Sequence, residues 1–342
     1  MKPTKPPTLE DVARAASVST ATISRAINDP NKVAKETRLK IQTAIETLGY
    51  TPNFGGRALA SNRTNTVGVL IPSLSNAMFA SGVQAFEEAL SESGVTLLIA
   101  STRYDPDQEL RQIRSLMAHG ADGLLLIGSE RPAKTWDFLA LRQVPFVVSW
   151  AFNTDDGRIY AGFDNFKAAA QITQAGLDAG HRRIGMIAGI TQNNDRAYQR
   201  VAGVRATIAG TPDAKLLCVV EAPYLLQHGS DAFDEIFAQG PLPSLIICGN
   251  DVLAAGAILA ARAKGLRVPQ DISITGFDDI GIAAVSEPAL TTVRIPQAEM
   301  GRMAAKLLLE RLNGADAQQS VEFATDVIFR GTLAPPSAFP SA

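Results

Sequence analysis

Eight short apolar runs, each followed by a stretch with helical character, constrain this chain more than any other feature. They are "TVGVLIP", "VTLLIAS", "GLLLIG", "PFVVSW", "RIGMIAG", "LLCVV", "LIICG" and "ISITGF". Runs of Val, Ile and Leu without polar alternation are strands covered on both faces, and strands alternating with helices give parallel βαβ sheets. Eight such units can close into one barrel or form two open sheets. The segment "IYAGFDNFKAAAQIT" starts afresh after the fourth run and the later runs repeat the rhythm, which favours two sheets. The expected fold class is α/β, with a body of two parallel-sheet lobes.

Open α/β sheets bind ligands beyond the carboxyl ends of their strands. Here those positions hold Ser73 to Phe79, Gly128 and Ser129, Trp150, Asp164 and Asn165, Arg196 and Arg200, Asn250 and Asp251, and Asp278. Carboxylates and amides suit hydroxyl groups, arginine suits a hydroxyl or carboxylate, and aromatic faces stack on sugar rings. Asp and Asn after a strand also cap the following helix, a reading that holds equally for Asp164 and Asn165.

Several classes drop out. There is no apolar core of signal-peptide length at the start and no run of about 18 uninterrupted apolar residues, so a cytoplasmic protein without membrane contact is expected. Cys218 and Cys248 sit in apolar runs without CxxC spacing and read as two buried structural thiols. His119, His181 and His228 lie far apart, and no phosphate-binding, dinucleotide or nucleophile-elbow motif is present. No catalytic residues, metal or cofactor are expected.

The first 65 residues differ in kind from the rest. They carry ten Lys/Arg against five Asp/Glu, whereas the remainder carries 22 against 29. A basic head on an acidic body is the charge footprint of a phosphate-binding module, although charge alone also fits a membrane surface. "TLEDVARAASVSTATISRAIND" reads as two short helices, the first opened by Thr8 with Asp11 three residues on and buried through Val12, Ala15 and Ala16. Ser19 caps the second, in which Ile23 and Ile27 face the core. The spacing is that of a helix-turn-helix, whose second helix presents Thr20, Ala21 and Arg25 to base edges in the major groove. An ordinary helical hairpin with a surface arginine fits the pattern as well. A third helix, "AKETRLKIQTAIETLGY", places Leu39, Ile41, Ala44, Ile45 and Leu48 on an apolar face. Asn28, Asn31, Lys32, Thr37 and Arg38 are then available to backbone phosphates.

These segments, with "LGYTPN" and "RALAS" after them, resemble the DNA-binding head of LacI/GalR-type bacterial transcriptional repressors, and the likeness runs along nearly the whole chain. The resemblance implies base contacts at Thr20, Ala21 and Arg25, and a hinge helix at "NFGGRALASN" in which Arg57 contacts DNA and Leu59 wedges into the minor groove. Gly55 and Gly56 depart from the small helix formers usual there, and Ala34 stands where a Ser or Thr caps the third helix. A body like that of periplasmic sugar-binding proteins is also implied, with an effector site at Ser73, Phe79, Trp150, Arg200, Asn250 and Asp278. The motifs are most similar to those of repressors of gluconate and other sugar-acid utilisation. The expected organisation is a head over 1–53, a hinge over 54–65, a body over 66–333 and a flexible tail over 334–342. Lobe one covers about 66–163 and 294–319, and lobe two about 164–293 and 320–333, which takes "VEFATDVIFR" into the second lobe. The expected function is repression of carbohydrate or sugar-acid catabolic genes, by a homodimer on palindromic double-stranded operator DNA that a small sugar or sugar-acid effector releases. A sugar-binding protein or sugar enzyme with an incidental helical head is the alternative.

Overall fold

The structure is a computed structural model that describes residues 6–51, 63–315 and 319–336. The chain divides into two compact units, Met1–Thr64 and Asn65–Ala342.

The first unit is a three-helix bundle: α1 Leu9–Ala16, α2 Thr20–Asn28 and α3 Lys35–Leu48. Each start has a local cause. Thr8 and Asp11 form a reciprocal capping box on α1, and the Ser19 hydroxyl accepts from the Thr22 amide on α2. At α3 the N-cap Ala34 makes no side-chain bond, so that helix start lacks the cap its neighbours have. Ser17 and Gly49 end α1 and α3 in the left-handed region. Val12, Ala13, Ala16, Ile23, Ala26, Ile41, Ala44 and Tyr50 form the core. Three sequence expectations need correction. Ala13, not Ala15, completes the stripe of α1, and Leu39 and Leu48 are exposed because the buried face of α3 runs through Ile41 and Ala44.

All eight apolar runs are strands of the second unit. One six-stranded parallel sheet has the order β11-β5-β4-β3-β1-β2, built from β1 Thr66–Ile71, β2 Thr96–Ser101, β3 Gly123–Ile127, β4 Phe146–Ser149, β5 Tyr160–Gly162 and β11 Val321–Glu322. A four-stranded parallel sheet, β7-β6-β8-β9, is built from β6 Arg183–Gly189, β7 Lys215–Ala222, β8 Leu245–Cys248 and β9 Ser273–Thr275. Helices α4 Ala80–Glu92, α5 Pro106–Ala118, α6 Ala133–Leu141 and α12 Gln297–Leu312 belong to the first lobe. Helices α7 Asn165–Asp178, α8 Asp195–Ala209, α9 Leu226–Ala238, α10 Asp251–Ala263 and α11 Gly281–Val285 belong to the second. One apolar cluster continues from Val67, Val69 and Phe86 through Phe163, Phe277 and Val293 to Ile172 and Ile184, so the lobes share core along the crossovers.

"VEFATDVIFR" is split, against the sequence expectation. Val321–Glu322 pairs in parallel with β5 and edges the first sheet, whereas β12 Asp326–Ile328 pairs antiparallel with β10 Thr292–Arg294. The segment crosses between lobes at Phe323–Thr325, and its continuous mix of apolar and polar residues, without Gly or Pro, gives no sign of the crossing. The start of the expected flexible tail is anchored: Ala334 accepts from His181 Nε2 at 2.9 Å and exchanges bonds with Ser273. Cys248 is buried and Cys218 only half-buried, and burial raises both thiol pKa values.

Candidate functional site

On the head, α2 buries Ile23 and leaves Thr20, Ala21 and Arg25 exposed, with Ala21 and Arg25 on the face opposite Ile23. Such a face can enter a major groove, and Arg25 can pair bidentately with guanine O6 and N7. Ser19 is occupied as a cap, its Oγ 3.1 Å from the Thr22 amide. Lys32 pairs with Asp29 at 2.6 Å yet stays 72% exposed, so solvent leaves that pair weak and the ammonium within reach of a phosphate. Thr37 is half-buried in the first turn of α3 and Asn28 is the last residue of α2. The side chain of Asn28, and Arg57 and Leu59 with residues 54–62 of the expected hinge, lie outside the described residues.

In the body, strand order reverses between β1 and β3 in one sheet and between β6 and β8 in the other, so each lobe has its switch point beside the cleft. Cavities open there. One of about 220 Å³ is lined by Thr102, Tyr104, Glu130, Asn193, Asp195 and Arg196 among others. An adjoining one of about 420 Å³ includes Ser73, Asn76, Arg103, Tyr104, Asn194 and Tyr224. Ser73 is therefore on the cleft, bonded to Ser75 at 2.8 Å.

Arg200, Asn250 and Asp278 meet deeper in. The Arg200 guanidinium donates from Nε to Asn165 Oδ1 at 2.9 Å, from Nη1 to Gly249 O at 2.6 Å and from Nη2 to Asp278 Oδ1 at 3.4 Å. Its face lies 3.7 Å from the Phe277 ring centroid, a cation–π contact. Asn165 also donates to Trp150 O at 2.9 Å, joining the end of β4 to the second lobe, while Asp164 caps α7. Asn250 caps α10 through Leu253 N. Burial pushes the Asp278 carboxyl up to about 7 although Arg200 pulls it back. Burial and the Asp278 charge likewise raise Asp251, which accepts from Thr292 Oγ1 and Ile280 N. Buried polar atoms without a partner among the described residues include Trp150 Nε1, Asn250 Nδ2, Asp278 Oδ2, Thr275 Oγ1 at the end of β9 and Asn76 Nδ2 on the 420 Å³ cavity.

Phe79 and Trp150 line neither of these two cavities. They pack edge to face with centroids 5.6 Å apart, and the indole presses on Gly82 of α4. Tyr104 and Tyr224, which the sequence reading did not single out, do line the cleft. Burial raises both phenols, Tyr104 to about 12, so they serve as neutral hydrogen-bonding groups. Both follow strands, β2 and β7, so the strand-end rule contained the signal.

The lobes touch directly. Asp195 Oδ2, on α8 of the second lobe, accepts from Ser129 N at 2.6 Å and Ser129 Oγ at 2.8 Å, after β3 of the first. Burial opposes its charge, but Arg196 and Ser129 hold the carboxyl below the usual range. Gly128 has φ +80, and a Cβ there would fall 1.8 Å from Arg196 Nη1, so both conformation and proximity demand glycine. Among the described residues no group of three potential metal ligands and no helix long and apolar enough to cross a membrane occurs.

A helix-turn-helix unit followed by a two-lobed ligand-binding body defines the class: a DNA-binding regulator sensing a small molecule. The family described as "Bacterial regulatory proteins, lacI family" matches residues 8–53, and "Periplasmic binding protein-like domain" matches residues 173–333. The HTH-type transcriptional repressor PurR of Klebsiella pneumoniae is 33% identical over 96% of this chain and 97% of its own. The crystal structure of transcription regulator GntR from Chromobacterium violaceum is 33% identical, with TM-score 0.74 over 78% of this chain and 98% of that one. A transcriptional regulator CelR–cellobiose complex is 29% identical, with TM-score 0.71 over 95% and 99%. The chain belongs to the LacI family and is a DNA-binding transcriptional repressor with a small-molecule effector. That membership sets aside the sugar-enzyme alternative.

Proposed function

We propose that this repressor controls carbohydrate or sugar-acid catabolic genes from the cytoplasm, binding a palindromic operator as a homodimer and releasing it when a polyhydroxy effector enters the cleft. A single helix-turn-helix reads only a few base pairs, so useful specificity needs two heads on two half-sites, roughly 34 Å or a multiple apart. Thr20, Ala21 and Arg25 read bases in this scheme, while Lys32, Thr37 and Asn28 serve phosphates. Arg57 and Leu59 act at the hinge.

The observation that carries the effector assignment is the set of buried unpartnered atoms beside the cleft, the amide N–H donors of Asn76, which lines the 420 Å³ cavity, and of Asn250, with one carboxylate oxygen of Asp278. Buried polar groups are normally paired, and a polyol supplies the missing acceptors and donor together. Arg200 supports Asp278, Ser73 lies at the cleft mouth, and Phe79 backs Trp150. The relative crystallised with cellobiose makes a saccharide-like ligand the natural class. Mobility shifts on a palindromic operator, with neutral sugars and sugar acids titrated in, test this. Release by one of them with loss of the response in Asp278→Asn is expected; operator binding insensitive to every polyol would overturn it.

A further inference from the structure

We propose that Arg196 is the specificity-determining residue of the cleft and selects effectors that carry a carboxylate. This rests on the reading that the effector is a polyol bound between the lobes. Three buried arginines surround that space, and their hydrogen bonds differ. Arg200 spends Nε, Nη1 and Nη2 on Asn165, Gly249 and Asp278. Arg131 spends Nε on Glu109, Nη1 on Gly128 O and Nη2 on Ile127 O. Arg196, with a side chain only 6% exposed, makes one hydrogen bond among the described residues, from Nη1 to Asp195 Oδ1 at 2.9 Å. Its Nε and Nη2 are left to the cavity it lines.

Asp195 does not satisfy this guanidinium, because its other oxygen is committed to the Ser129 amide and hydroxyl across the cleft. That commitment also fixes where Nη1 points, so the remaining N–H groups are held rather than mobile. A planar pair of donors matches the two oxygens of a carboxylate, whereas one neutral hydroxyl engages a single N–H and leaves the rest desolvated. Tyr104 lines the same cavity as Arg196 and Tyr224 the adjoining one, so both supply hydroxyls near the carboxylate site. Glu130, the cavity's remaining acidic neighbour outside these pairs, is exposed, where water screens its repulsion. At about 220 Å³ the cavity suits a small molecule below the roughly 300–1,000 Å³ of drug-sized sites. Thr102, Asn193 and the Tyr104 hydroxyl, which line the same cavity, take the hydroxyl chain and Arg196 takes the acid, which together describe an aldonic or uronic acid. The acid contact thereby belongs to Arg196 instead of Arg200.

Calorimetric titration of the full chain with D-gluconate and D-galacturonate, each against its neutral counterpart D-glucitol or D-galactose, tests the assignment. At least one acid is expected to bind at least about tenfold tighter than its counterpart. Arg196→Gln should remove that acid preference, costing the acid about tenfold to a hundredfold while the neutral partner changes little. Arg196→Lys should restore part of it, which a merely structural role would not produce. If Arg196→Gln keeps the acid preference while Asp278→Asn abolishes binding, the cleft reading survives and the Arg196 assignment falls. If an acid binds and Asp278→Asn leaves it unaffected, the cleft reading itself falls. Equal binding of acids and neutral sugars, or binding of neither class, overturns the assignment outright.

Discussion

Arg200 and Asp278 show how a site residue legible in the sequence can have a different duty from the one its type suggests. Strand-end position and the family resemblance pick them out, but spacing along a chain does not reveal that each is the other's partner. With side chains 2% and 0% exposed, the pair is an internal strut supporting the cleft floor. Removing one member strands a buried charge, so Arg200→Ala is expected to lower unfolding free energy by about 3–5 kcal/mol, measured by denaturant titration. A loss of effector response in that variant would then report on folding as much as on contact. Asp278 also sets a pH dependence. Its carboxyl is raised from 3.8 to about 7 by burial, so the folded state holds more protons than the unfolded one across that interval. Stability contributed by this group is present at pH 4 and is lost as pH climbs through 7. Melting temperature should therefore fall over this range, and Asp278→Asn should flatten the slope. On the head, Arg25 is exposed on the reading face, and Arg25→Ala should cost about 1–3 kcal/mol at one base position in operator mutants.

At the scale of elements, local chemistry was easier to read than partnership. The capping box at Thr8, the cap at Ser19 and the eight apolar runs are short-range patterns, and each appears where those residues stand. Leu39 and the segment 321–330 were misjudged because hydrophobicity marks a preference for burial without saying which neighbour provides it. Leu39 belongs to a face with no packing partner in the three-helix unit, and Val321–Glu322 and Asp326–Ile328 find strands in different sheets. Tyr160–Gly162 lies inside the first sheet, between β4 and β11, although its run is too short for a strand signal. The cap missing at Ala34 gives a test of the local argument. Its φ −56 and ψ 140 hold the backbone extended with the α3 amides unserved by a side chain, so Ala34→Ser should stabilise α3 by about 1 kcal/mol. Hydrogen exchange at the first amides of α3 should slow roughly fivefold, and unchanged exchange would mean water already serves those groups as well.

For the whole molecule, the decisive question is what sets the balance between closed and open lobes. An effector changes operator affinity only through unequal binding to two arrangements of the body, and about 1.4 kcal/mol of difference is a tenfold effect. The lobes share an apolar core at the crossovers, a hinge-side tie that opening need not break. Polar contacts add to it, Asn165 on Trp150 O and, at the mouth of the cleft, one carboxylate oxygen of Asp195 holding both the amide and hydroxyl of Ser129. Hydrogen bonds to a charged group are worth about 1.5–3 kcal/mol, so Asp195→Ala should shift the closed–open ratio by roughly tenfold or more. Ser129→Ala keeps the amide donor and should have a smaller effect. Small-angle scattering of the unliganded protein is expected to show a larger radius of gyration for Asp195→Ala than for Ser129→Ala, with the parent chain smallest. The order matters more than the size of the change, because loss of folded structure would expand the chain without ranking the two substitutions by the bonds they remove. Identical radii in all three would mean that the crossovers alone hold the cleft shut.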